Sequence, residues 1–109
     1  MRQVALPALI LDTSDTSAPV QVKGSFIVAI QTDAAFEGAA LEAEVSYDDA
    51  TTWAPVLDDA GAAVSIVATA SQTIRLDASE WCFADLIRFV SDAAQAAGNT
   101  TLTVVVLAD

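Results

Sequence analysis

Histidine is absent from this 109-residue sequence, and cysteine occurs once, at Cys82. Without histidine there is no Ser-His-Asp or Cys-His arrangement, and the commonest ligand for zinc, copper or iron is missing. A lone thiol makes neither an internal disulfide nor a thiolate metal cluster, so Cys82 is expected as a small core residue. The four glycines, at 24, 38, 61 and 98, are too scattered for a phosphate-cradling loop. No apolar run reaches the roughly eighteen residues that a membrane-spanning helix needs.

Positive charge is scarce. Arg2, Lys23, Arg75 and Arg88 stand against fifteen acidic residues, for a net charge of −11. A surface of that sign repels phosphate backbones and anionic lipid, so neither nucleic acid nor membrane is expected as a partner. The acidity serves solubility, or lets an acidic face meet a basic patch on a larger partner. Aromatics are few: Phe26, Phe36, Tyr47, Trp53, Trp81, Phe83 and Phe89. Hydrophobic residues make up 54% of the chain, much of it alanine and valine, and such a core favours strands. The length suits one domain over residues 1–109, burying roughly two-thirds of the surface its unfolded form exposes.

What is present is alternation. Residues 3–11 form an apolar run interrupted by Pro7, which offers no ladder donor and so marks an edge or a bulge. This run follows a single charge and meets Asp12 without a small-residue cleavage pattern, so it reads as a strand and not as a secretory leader. Residues 1–12 are expected to be peripheral, a candidate docking arm. A polar loop follows, and then an extended run over 20–31 with Val22, Phe26, Val28 and Ile30 on the buried parity. Gly24 falls on that parity and marks a bulge or a close backbone approach. Residues 32–40 read as a loop or helical turn crossing between sheets.

Leu41, Ala43, Val45 and Tyr47 alternate with Glu42, Glu44 and Ser46, the pattern of a strand with one buried and one wet face. Trp53, Pro55 and Leu57 restart the alternation after a turn. Asp58-Asp59-Ala60-Gly61 signals a second hairpin, with Val64, Ile66 and Ala68 beyond it. In 73–77, Ile74 and Leu76 point inward. Ser79 is a candidate cap for a brief turn over 78–85, where Trp81 and Phe83 pin a connection to the core. Residues 86–91 form a strand, 92–99 a turn, and 100–108 a strand apolar on both faces near its end, suited to a central position. About eight short strands at such spacing, with little helix, predict an all-β antiparallel β-sandwich or jelly roll.

The only catalytic option left is a carboxylate pair, and Asp48, Asp49, Asp58 and Asp59 could meet across the two turns. A glycosidase needs two carboxyl groups held across a cleft, one with its pKa raised by burial. So small a domain leaves little room to wall one. The same aspartates could enter an oxygen cage for calcium, but their spacing matches no calcium loop. No enzymatic activity, catalytic residue, cofactor or metal is expected. Trp53 and Trp81 read as core plugs, or as a sugar-stacking platform of a carbohydrate-binding or adhesin-like module.

Residues 46–53, Ser-Tyr-Asp-Asp-Ala-Thr-Thr-Trp, resemble the Asp-box hairpin of sialidases and other β-proteins through Ser46, Asp48, Thr52 and Trp53. Ala50 departs from it by replacing the glycine, which disfavours a positive φ there. Across residues 41–107, the hairpin, the Asp58–Gly61 turn, the strand Gln72-Thr73-Ile74-Arg75-Leu76-Asp77, the tryptophan-bearing connection, the strand over 86–91 and the Thr/Val-rich closing strand form a pattern. It resembles the small all-β virion accessory proteins of tailed bacteriophages. That resemblance implies a capsid decoration or cement protein on the virion surface, made in the host cytoplasm. It would bind the major capsid protein and assemble as a homo-oligomer, a dimer or trimer; a neck, tail or fibre part is the alternative. The family has no catalytic residues to transfer.

Overall fold

The computed structural model describes residues 2–81, 85–96 and 98–108. Among them are nine strands and no helix: β1 (Arg2–Ile10), β2 (Val20–Gln21), β3 (Ser25–Gln31), β4 (Ala40–Ser46), β5 (Ala54–Pro55), β6 (Ser65–Val67), β7 (Thr73–Arg75), β8 (Leu86–Ser91) and β9 (Thr100–Ala108). They form two antiparallel sheets, one ordered β1-β9-β3-β7 and the other β2-β8-β4 with β5 and β6 both on the far edge of β4. The expected all-β sandwich is the fold observed.

Alternation builds the core from both layers. Ala8 and Ile10 of β1, Ile27 and Ile30 of β3, and Leu102, Val104 and Val106 of β9 face Leu41, Ala43 and Val45 of β4 and Ile87 and Phe89 of β8. Each fully buried Ile, Leu or Phe contributes about 1.5–3 kcal/mol relative to exposure. The Thr/Val-rich β9 is central, between β1 and β3, as its two apolar faces suggest. Pro7 lies in an edge strand, since β1 pairs only with β9 along its ladder. Yet β1 is no loose arm: Ala8 and Ile10 have no exposed surface.

The run over 20–31 is not one strand. A turn at Lys23 and Gly24 sends β2 into one sheet and β3 into the other. Gly24 takes φ +77° with nothing within 4 Å of the place a Cβ would occupy, so it serves the turn and not a close approach. A register shift between Ile27 and Ala29 then turns Ile27 fully inward and leaves Phe26 and Val28 only half-buried, against the expected parity. A bulge inverts faces because side chains alternate with period two.

The second hairpin is also different. β5 and β6 both run antiparallel to β4, pairing Val45 with Ala54 and Leu41 with Ile66. They are therefore two pieces of one interrupted edge strand. Residues 57–63 leave that strand and return, closed by the Leu57–Ala63 bridge and by the Asp58 carboxylate, which accepts from the N–H groups of Ala60 and Ala62. Pro55 and Leu57 are exposed in consequence, and Val56 is the half-buried residue.

Candidate functional site

Three places combine exposure with organisation: the loop after β4, a cleft beside residues 56–65, and the outer face and free edge of the β1-β9-β3-β7 sheet.

The loop is closed by its own side chains. The Ser46 hydroxyl donates to Asp48 and accepts from the Ala50 N–H at 3.0 Å, while the Asp48 carboxylate accepts from the Thr52 N–H at 2.8 Å. Those hydrogen bonds from Thr52 and Ser46 hold the Asp48 carboxyl below its ordinary pKa. The structure corrects the expectation at Ala50: it adopts φ +67°, and Asp49 φ +59°, despite their Cβ atoms. It also reverses the ends of β4, burying Ser46, whose hydroxyl serves the loop, and exposing Tyr47 at 61%.

The tryptophans part company. Trp81 is buried beside Phe89, with ring centres 6.4 Å apart. Trp53 is half-buried under the guanidinium of Arg88, which also meets Glu44. Arg88 and Phe89 are successive on β8 and point to opposite faces. Trp53 thus lies on the outer face of that sheet and Trp81 on its core face, and they share no platform. At the turn before Trp81, the Asp77 carboxylate accepts from the Ser79 N–H and hydroxyl. Cys82 and Phe83 lie outside the described residues.

The cleft, about 630 Å3, is lined by Val56, Leu57, Val64 and Trp81 together with Asp58, Asp59 and Glu80. The Asp58 carboxylate is already committed to its own loop. Asp48 and Asp49 do not line this cleft. Among the described residues no three acidic or thiol side chains converge to hold a metal. Asp33, Asp48, Asp77 and Asp92 all have their carboxyl pKa lowered. For Asp33, partial burial opposes ionisation, but the Thr100 hydroxyl and the N–H groups of Thr101 and Ala35 outweigh it. Asp77 is lowered by Ser79, and Asp92 by the N–H groups of Ala39 and Ala40. These groups are loop acceptors, the opposite of a proton donor poised near neutrality.

The third place is defined by charge. β1, β3, β7 and β9 contain no aspartate or glutamate; the acids lie in β4, in the connecting segments and at residue 109. Register aligns the outward rows of this sheet: Ala5, Val105, Ala29 and Arg75 in one, Pro7, Thr103, Gln31 and Thr73 in the next. Gln31 donates to the Thr73 hydroxyl at 3.1 Å within its row. The face is thus apolar, amide and hydroxyl, with Arg75 as the charge in these two rows.

Sequence reasoning missed Gln95. It is fully buried, its side-chain amide donating to the Glu37 carbonyl and accepting from the Glu37 N–H, both at 2.8 Å. Its backbone takes the Thr13 N–H and reaches the Ser14 carbonyl, so one residue ties three connections together. A lone glutamine in the alanine-rich 92–99 segment was the available signal.

Comparisons with protein-family models, curated proteins and solved structures return no match.

Proposed function

We propose that this chain is a structural virion protein of a tailed bacteriophage, a capsid decoration or cement protein that seats the outer face of its β1-β9-β3-β7 sheet on the major capsid protein. The observation that carries the reading is the segregation of charge. In a chain of net −11, one sheet is free of carboxylates and offers an ordered apolar and threonine surface. Docking there desolvates no carboxylate of the sheet itself, and burying an unpaired charge is the largest avoidable cost of association. The texture of residues 41–107 noted above supports the same class. Many copies on one lattice let each contact be weak while the array holds, through effective concentration.

Because β1 supplies core residues, deleting residues 2–11 would unfold the protein and not merely undock it. The discriminating variant is Thr103→Glu with Val105→Glu, which places two carboxylates on the outer face and leaves the core parity alone. Cosedimentation with purified capsid shells should show saturable binding of the unaltered chain and at least about tenfold weaker binding of the variant. Binding to isolated tails or necks in place of shells would move the assignment to a tail or neck part. Equal binding by the variant would remove this face from the interface.

A further inference from the structure

We infer that two copies of this chain associate through β1, antiparallel about a two-fold axis at Val4, fusing their β1-containing sheets into one continuous sheet. The contact deepens the shell-binding reading, which it rests on for the crowding of copies on one surface. It is measured on free protein, so its failure and that of shell binding are separable.

Backbone parity carries the inference. The Leu9 carbonyl accepts from the Ala18 N–H at 2.8 Å, so it points away from β9. In an antiparallel strand alternate residues present both polar groups to the same side. Leu9, Pro7, Ala5 and Gln3 therefore turn outward, while Ile10, Ala8, Leu6, Val4 and Arg2 serve the ladder to β9. Pro7 falls on the outward parity, so its missing N–H costs that ladder nothing. What remains open is the N–H and C=O of Gln3 and of Ala5 and the C=O of Pro7; β1 is the end strand of its sheet, and no described residue covers them.

That open edge matches itself. Setting Gln3 against Ala5 of the second copy, and the reverse, gives every open donor of both strands an acceptor. The ladder stops at Pro7, and beyond it the Leu9 carbonyl is already taken. A longer foreign strand would bring to the proline a carbonyl that finds no donor. The side chains agree. Val4 and Leu6 are half-buried apolar residues at the margin of the core, and the axis brings Val4 against its own copy in the close, non-hydrogen-bonded type of pair.

Electrostatics permit a copy of this chain at this edge. Over the connecting segments and β4 the approach of two molecules of net −11 sets carboxylate against carboxylate, but β1 has none. Its charge is Arg2, which this register places opposite Leu6 of the second copy. The two arginines then lie about 13 Å apart along the ladder, beyond the ~8 Å screening length at physiological salt. Such an isologous contact closes after two copies.

Sedimentation equilibrium and residue-resolved amide exchange of the unaltered chain test this together. The expected result is a dimer in which the Gln3 and Ala5 amides exchange about tenfold or more slowly when concentrated than when dilute. Ala5→Pro removes an outward donor without touching the β9 ladder, and should weaken the dimer by at least about tenfold while melting within a few degrees of the parent. A chain monomeric up to ~1 mM would overturn the inference. So would a dimer whose Gln3 and Ala5 amides exchange as fast as in the dilute chain, or one that a folded Ala5→Pro variant forms equally well. Should the variant not fold, the amide exchange of the unaltered chain decides alone.

Discussion

The guanidinium of Arg88 lies 4.2 Å from the centre of the Trp53 ring while its Nε donates to Glu44 at 2.7 Å. One arginine thereby roofs the outer surface of β4 and β8 and covers a face of the indole that a ring ligand would need. A cation over tryptophan contributes about 0.5–1 kcal/mol where partly exposed, and an exposed ion pair no more than about 1. Arg88→Ala should therefore cost about 1–2 kcal/mol in denaturant melts and shift Trp53 emission to the red. Soluble glycans should leave the emission of the unaltered chain unchanged, and quenching would revive the sugar-binding reading.

Ala50 occupies the left-handed region at φ +67°. An L-residue there costs roughly 1–2 kcal/mol, against which glycine loses about 0.4–1 kcal/mol through greater freedom in the unfolded chain. Ala50→Gly should stabilise the protein by about 0.5 kcal/mol. A loss of stability on thermal melting would mean that the loop holds Ala50 without strain.

Gly38 is the contrasting case. At φ +141°, a Cβ would stand 2.6 Å from the Ser91 hydroxyl and 2.8 Å from the Asp92 carboxylate. Asp92 receives the N–H groups of Ala39 and Ala40 at the start of β4, so yielding there would release two backbone donors. Gly38→Ala should destabilise by about 2–3 kcal/mol. A loss under 1 kcal/mol in a denaturant titration would show that the segment shifts freely.

Asp33 anchors the start of β9, accepting from the Thr100 hydroxyl and, at 2.9 Å, from the Thr101 N–H. Its folded-state pKa is lowered, so it contributes stability that is full above its ordinary value of 3.8 and is lost as pH falls through the depressed value. Asp33→Asn should cost about 1–2 kcal/mol at neutral pH, and the gap between variant and parent should close in acid, below both values. A gap that stays constant on acid titration would show that charge is not what Asp33 supplies.

Regular alternation made β4, β8 and β9 readable, because a buried face imposes period two on the side chains. Pro7 marked β1 as an edge or a bulged strand, since proline offers no ladder donor, and the sheet order makes it an edge. Errors fell where one residue resets parity. The bulge between Ile27 and Ala29 lies inside the apolar run 26–30, which carries no mark of it, and Gly24, expected at a bulge or a close approach, makes a turn instead. Asp58-Asp59-Ala60-Gly61 announced a turn correctly, but turn residues do not say whether the returning strand pairs with its predecessor or with a third strand. At the candidate site, the charge pattern was visible as composition. Only register showed that the carboxylate-free segments lie side by side, and only the Leu9 carbonyl showed which residues of β1 turn outward.

Residues 16 and 17 pair with strands of both layers: Ser17 bridges Ile10 of β1, and Thr16 bridges Val90 of β8. The sandwich is thus stitched along one margin by main-chain bonds. Sliding one layer across the other would have to rip that seam, where an ordinary two-layer core yields by side chains slipping past one another.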